Sequence, residues 1–192
     1  MPSRRTSEEL LHLFKENWPE GYSSAEEVML RLYHAALRHT EELQRFLAQF
    51  DLTTIEFVTL RVLRREPPPH VMTPSALHET LVLSPGGMTK ILKHLQAKRL
   101  VSRRANAADK RSSLVELTPH GRAAIETAQS AVRELDFALL ERTLKRSEQE
   151  RLAHLLRKLL VSLEPTHATT KASKAARGRA KQAGESLLRA EV

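Results

Sequence analysis

A mainly α fold carrying one small β hairpin, an α+β class, is what three features of this 192-residue sequence predict. The first is apolar periodicity at i, i+3, i+4 over most of the chain between residues 7 and 163. The second is a set of helix starts legible from local chemistry. A hydroxyl residue stands directly before proline at Thr73-Pro74, Ser84-Pro85 and Thr118-Pro119. Such a hydroxyl caps free N–H groups, and proline loses nothing at the first helical position. The third is the stretch 72–121, where short helical signals lead into a basic amphipathic helix. Two alternating runs follow, around a charged, glycine-free loop. That order is the order of a winged helix-turn-helix, here with long N- and C-terminal helices suited to dimerisation.

Taken in order, residues 7–18 form a short helix capped by Thr6, with Glu9 at N3. Leu10, Leu13, Phe14 and Trp18 share one face, and Pro19-Glu20-Gly21 breaks the helix. Ser24 with Glu27 makes the next capping box, opening a helix from about 25 to 50 whose stripe is Val28, Leu32, Ala35, Ala36, Leu43, Phe46, Leu47 and Phe50. A helix this long exceeds the globular mean of ~11–12 residues and is expected to extend into a partner subunit. Thr53 with Glu56 caps a helix that stops at Pro67-Pro68-Pro69. After Thr118 a long pattern runs through Ile125, Ala128, Val132, Leu135, Leu139, Leu140 and Leu144. Ser147 with Glu150 then opens a last, leucine-rich helix ended by Pro165. The predicted organisation is an extra N-terminal helix (1–22), a dimerisation helix (23–52), a winged lobe (53–117), C-terminal dimerisation helices (118–164) and a basic, disordered tail (165–192).

Composition narrows the function. Cysteine is absent, which excludes disulfides and cysteine-ligated zinc. No apolar run reaches 18 residues and residues 1–17 lack a signal-peptide core, so the expectation is a cytoplasmic protein without a membrane partner. His78-Glu79 lacks the second histidine of a zincin, and neither a glycine-rich phosphate loop nor a nucleophile elbow occurs. The nine histidines are scattered. An enzyme, a cofactor and a metal site are therefore not expected. Charge is more informative. Residues 84–115 hold Lys90, Lys93, Lys98, Arg99, Arg103, Arg104, Lys110 and Arg111 against Asp109 alone, a net of +7 in a chain of net +8. A basic surface of this kind attracts a phosphate backbone.

In a helix over 85–98, Met88, Leu92 and Leu95 point inward, with Ile91 beside them. Thr89, Lys90, Lys93 and His94 lie off that stripe and suit phosphates and base edges. Ser84 caps the helix, and Gly86 and Gly87 leave no bulk where its N-terminus would approach DNA; the N-terminal amides favour a phosphate there. The runs 100–104 and 114–117 alternate like strands, placing Arg103 and Arg104 at the base of a loop containing Asp109-Lys110-Arg111. Arg111 is the candidate for a narrow minor groove. Asp109, repelled by phosphate, would orient a neighbouring arginine.

The run Leu83-Ser84, Met88-Thr89, Leu92, Leu95, Leu100-Val101, Arg103, Asp109-Lys110-Arg111, Val115, Leu117-Thr118 and Gly121 resembles the MarR family of bacterial transcription regulators over about residues 24–163. The resemblance implies a homodimer on a palindromic operator in double-stranded DNA, recognition helices in successive major grooves and wings in the minor groove. It also implies a bacterial, nucleoid-associated location. One departure is Arg99, where the family usually has the glycine of an αL cap.

The added N-terminal helix ending in Trp18, with Glu56-Phe57, Leu60, Pro67-Pro68, Thr73-Pro74 and Gly86-Gly87-Met88-Thr89, is similar to the urate-responsive subgroup. That resemblance implies a ligand site built on Trp18, but its aspartate and arginine positions hold Val58 and Ile91 here. Losing both charges together is physically coherent, whereas losing one would strand the other. A pocket of Trp18, Val58 and Ile91 would favour an aromatic acid or phenol over urate. The expectation is a dimeric repressor released by a small aromatic ligand. The alternative is a sequence-tolerant structural DNA-binding protein without a ligand, gripping phosphates through Lys171, Lys174, Arg177, Arg179, Lys181 and Arg189.

Overall fold

The computed structural model describes residues 5–106 and 112–163. The tail and its cations, the Pro165 stop and the loop residues Asp109, Lys110 and Arg111 lie outside the described residues. The chain forms two compact units, Met1–Leu135 and Asp136–Val192.

The first unit begins with α1 (Ser7–Asn17), whose Thr6–Glu9 capping box is complete. Its buried residue is Leu11, so the helix packs on a face one position round from the predicted Leu10–Leu13–Phe14–Trp18 stripe. Helix α2 (Ser24–Leu47) follows. Its cap is Ser23, whose Oγ accepts from the Glu26 N–H, rather than Ser24 with Glu27. Both pairs fit the same spacing. The register is decided by Glu27, which is engaged elsewhere, by the Tyr22 hydroxyl at 2.7 Å and Arg31 at 2.8 Å. Residues 48–50, predicted as the end of this helix, form a separate 3₁₀ turn.

Helix α3 (Thr54–Arg65) opens with the predicted Thr53–Glu56 box. Phe57, Leu60 and Leu63, at helical spacing, are fully buried at the centre of the core. Helices α4 (Pro74–Thr80) and α5 (Pro85–Ala97) start at Thr73 and Ser84 as expected. Leu77 from α4 and Met88, Leu92 and Leu95 from α5 complete that core with Ile125, Ala128 and Val132 of α6 (Pro119–Thr143). Apart from Ala128, each such side chain contributes about 1.5–3 kcal/mol through burial.

The sheet has three strands rather than two. To the predicted hairpin, β2 (Val101–Ala105) and β3 (Ser113–Leu117), the short β1 (Val71–Met72) adds a third strand on the far side of β3. The pairing is antiparallel throughout, Val71 opposite Glu116 and Arg103 opposite Val115. Two residues are too short for an alternation signal, which is why β1 is invisible in the sequence.

Gly121 locks the hairpin to α6. A Cβ there would lie 1.8 Å from the Leu100 carbonyl oxygen, so only glycine permits this approach. Thr118 Oγ1 accepts from the Gly121 N–H at 2.9 Å and donates to the Arg99 carbonyl at 2.7 Å.

In the second unit, α7 (Arg146–Leu163) follows the end of α6. Its start is not capped by Ser147 with Glu150. The Lys145 N–H donates to the Glu148 carboxylate at 2.8 Å, and Glu150 pairs with Arg146. No described residue of α7 is buried; Leu152, Leu155, Leu160 and Leu163 are all exposed.

Candidate nucleic-acid interface

Helix α5 is held from one side only. Met88, Leu92 and Leu95 are at most 1 % exposed, whereas Gly86, Thr89, Lys90, Lys93 and His94 are exposed. At its N-terminus Ser84 Oγ accepts from the Gly87 N–H at 3.1 Å, and Thr89 Oγ1 donates to the Pro85 carbonyl at 3.0 Å. A Cβ on Gly86 would meet nothing within 4 Å, while one on Gly87 would approach Ser84 Oγ at 3.2 Å. The protein interior therefore does not require glycine at 86. Its bareness is a property of the outer surface, where a partner's backbone would come close.

The C-terminus of α5 resolves the Arg99 question. Arg99 has φ 58°, the left-handed conformation that glycine usually supplies. The Leu100 N–H donates to the Leu95 carbonyl and the Arg99 N–H to the Gln96 carbonyl, both at 2.9 Å. This is a complete Schellman cap with its apolar contact, Leu95 to Leu100, buried. The helix thus ends as a glycine cap would end it, with a cation added at the mouth of β2.

The hairpin carries Arg103 and Arg104, both exposed. Arg104 Nε donates to Glu116 Oε2 at 3.0 Å, and Ser102 Oγ donates to the other carboxylate oxygen at 3.2 Å. Arg103, opposite Val115, has no such carboxylate among the described residues. Asn106 Nδ2 donates to Ser112 Oγ at 2.8 Å and closes the base of the loop that carries Asp109, Lys110 and Arg111.

A buried ionic contact ties this interface to α3, and sequence reading assigned it no functional part. Glu56 is 2 % exposed. Its Oε2 accepts from the Thr53 N–H (2.9 Å), the Thr53 hydroxyl (3.0 Å) and Lys98 Nζ (3.2 Å). Lys98 also donates to the Asp51 carbonyl and lies 3.5 Å from its carboxylate. Burial pushes the Glu56 carboxyl up, but the Thr53 N–H, the Lys98 ammonium and the Thr53 hydroxyl outweigh it and hold the group below its ordinary range. His94 Nδ1 lies 4.0 Å from Glu56 Oε1. Lys98 is the C-cap of α5, so Glu56 anchors the end of that helix. The capping-box spacing flagged Glu56; nothing in the linear pattern pairs it with a residue 42 positions away.

Trp18 is 55 % exposed, its ring 5.2 Å from that of Phe14 and lying over Gly21, where a Cβ would come within 2.7 Å of the indole. Val58 and Ile91 are half-buried and pack against the core. Among the described residues no group of three or more metal-ligating side chains occurs, and no helix is long and apolar enough to cross a membrane.

Residues 50–112 match the model of the MarR family. The chain is 30% identical over 143 residues to the HTH-type transcriptional repressor NicR of Pseudomonas putida, covering 74% of this chain and 88% of that protein. The fold superposes with TM-score 0.60 on a MarR variant of Escherichia coli complexed with operator DNA, at 31% identity over 77% of this chain and 98% of that one. It superposes with TM-score 0.61 on Bordetella bronchiseptica BpsR, whose DNA binding is regulated by 6-hydroxynicotinic acid, at 26% identity over 72% and 96% of the two chains.

Proposed function

Because this chain belongs to the MarR family of DNA-binding transcription regulators, we propose that it is a homodimeric repressor that leaves its operator when a small aromatic ligand binds. The observation that carries the reading is the one-sided burial of α5. Its inner face is locked into the core, and its outer face offers a hydroxyl, two ammonium groups and an imidazole beside a bare N-terminus. In this reading α5 lies in the major groove. Lys90, Lys93 and Arg103 meet phosphates, Thr89 and His94 reach base edges, and the loop with Lys110 and Arg111 enters the minor groove.

The homodimer is supported by apolar surface that the single chain leaves uncovered. On α2, Val28 (60 %), Met29 (48 %) and Tyr33 (64 %) are exposed. On α7, four leucines are exposed. Soluble monomers rarely tolerate contiguous patches of this sort. A two-fold dimer would set two recognition helices about 34–36 Å apart, one turn of DNA, so a ligand that changes their spacing lowers affinity. The relatives support the sense of regulation and the ligand class: NicR is a repressor, and BpsR responds to a hydroxylated aromatic acid.

Fluorescence anisotropy on the DNA upstream of its own gene, titrated with aromatic acids, phenols and urate, tests the reading. Release by an aromatic acid or phenol is expected. Equal affinity for unrelated DNA would instead select the sequence-tolerant alternative. Trp18 is the single tryptophan, so its emission reports directly whether a releasing ligand sits against it.

A further inference from the structure

Among the described residues, four that are not glycine have positive φ: Asp51, His70, Val82 and Arg99. Aspartate and histidine are enriched in that conformation, and Arg99 brings a cation to the mouth of β2. Val82 is of the type least suited to it, because a branched Cβ crowds the backbone most. Its backbone is nevertheless fixed at φ 53°. The Leu83 N–H donates to the His78 carbonyl at 3.0 Å and the Val82 N–H to the Glu79 carbonyl at 3.3 Å, so the turn closes α4 as a Schellman cap. Leu81 and Leu83 on either side pack against the core. Val82 between them is turned outward and is 91 % exposed, more than any other large apolar side chain described. No described residue covers it, so packing within the chain does not offset the strain. Strained residues of this kind cluster where function uses them.

Position says what would use this one. Val82 stands two residues before Ser84, the N-cap of α5, and four before Gly86, where an added Cβ would meet nothing within 4 Å. It therefore leads into the exposed end of the helix that carries Thr89, Lys90 and Lys93. It lies on neither α2 nor α7, whose uncovered apolar side chains suit a second copy of the chain. We infer that Val82 is a specificity-determining residue of the operator contact, its isopropyl group packing on the C5 methyl of a thymine in the major groove. That methyl is an apolar group on a base edge, and contact with it separates thymine from cytosine without a hydrogen bond. A β-branched side chain is stiff at χ1, so holding it against DNA costs little side-chain freedom. The strain is the same free and bound and cancels from affinity; only the apolar contact counts. The inference rests on the operator-binding reading above and adds one sequence-reading contact to it.

Fluorescence anisotropy on the DNA upstream of the protein's own gene tests it, with thymidines replaced by 2′-deoxyuridine, which lacks only the methyl, in one symmetric pair of positions at a time. Wild type should lose about fourfold in affinity for each contacted methyl removed, about fifteenfold for a pair. Val82→Gly should bind the unmodified operator at least about fifteenfold more weakly and be indifferent to uracil at one pair where wild type is sensitive. Val82→Ala, which keeps the Cβ, should fall between them. The glycine variant should melt no lower than wild type, which removes misfolding as the cause of weaker binding. Unchanged operator affinity in Val82→Gly overturns the inference. Weaker binding with the uracil penalties intact at every pair assigns Val82 to the sugar–phosphate backbone and overturns it too. A changed oligomeric state with operator affinity kept assigns the residue to a protein contact, with the same consequence. If wild type does not prefer its upstream DNA to unrelated DNA, the regulator reading fails and this inference falls with it. That result appears before any modified duplex is used, so the two failures are distinct.

Discussion

Arg99 pays a conformational cost that glycine would not, and Arg99→Gly should therefore raise stability. At φ 58° a residue with a Cβ loses about 1–2 kcal/mol against its carbonyl. Glycine removes this term but returns about 0.5–1 kcal/mol through the greater freedom of the unfolded chain. Arg99 makes its hydrogen bonds through its own backbone: its N–H donates to the Gln96 carbonyl, and its carbonyl accepts from the Thr118 hydroxyl. They survive the substitution, and the exposed side chain has no described partner to lose. The net gain is roughly 0.5–1 kcal/mol, or about 1–4 °C in Tm for a chain of this size. Thermal melts by circular dichroism at matched protein concentration measure it, with Arg99→Ala as the control that keeps the Cβ. If the glycine and alanine variants melt together, left-handed strain is not what distinguishes this cap and the reasoning is refuted.

Val82 ends α4 with the same geometry, φ 53°, and is 91 % exposed; a β-branched residue is worse placed there, so Val82→Gly should raise Tm at least as far as Arg99→Gly. Gly121→Ala should cost upwards of ~3 kcal/mol, seen as a large fall in the urea midpoint, because its Cβ would overlap the Leu100 carbonyl at 1.8 Å. Glu56→Gln should cost ~1–3 kcal/mol at neutral pH. Because the Glu56 pKa is depressed in the fold, its contribution is present above the ordinary value of 4.5 and lost as pH falls through the folded value, so wild type should lose its advantage over the Gln variant in acid. Lys93→Ala, lost from both protomers of the proposed dimer, should flatten the salt dependence of operator binding by about 1.8 in log–log slope, whereas Lys98→Met should weaken binding with the slope intact; a slope flattened equally in both variants would mean that Lys98 meets phosphate itself.

The helix starts were legible because their chemistry is local. Thr6, Thr53, Thr73, Ser84 and Thr118 all cap where their spacing predicts. The two misplaced caps failed for reasons outside the local pattern. Ser23 and Ser24 offer the same spacing, and a tertiary arrangement around Glu27 chooses between them. At α7 a carboxylate caps without a hydroxyl partner. The outer face of α5 could be read from its period, since three core residues fix the phase of all the rest. What could not be read is long-range. Glu56 meets Lys98 across 42 positions and Arg64 meets Glu126 across 62.

The same long-range contacts change what the net charge of +7 over residues 84–115 means. Of the six cations there that the structure describes, two are committed internally. Lys98 is bound to Glu56 and Asp51, and Arg104 to Glu116. Both bonds stiffen the frame: the first fixes the end of α5, the second ties β2 to β3. Lys90, Lys93, Arg99 and Arg103 have no such carboxylate partner among the described residues and, in the proposed reading, would be the ones to replace counterions on DNA. Charge counted along the sequence therefore mixes two jobs, holding the recognition surface and being it. The two differ physically. A cation that releases counterions leaves its mark in the salt slope, while one that aligns a helix leaves it in affinity at every salt concentration. Arg99 stands at the meeting of both. Its backbone closes α5 as a glycine would, and its exposed side chain, two residues before the hairpin begins, adds a cation that glycine would lack, which gives a physical reason for a strained residue at a position where glycine fits better.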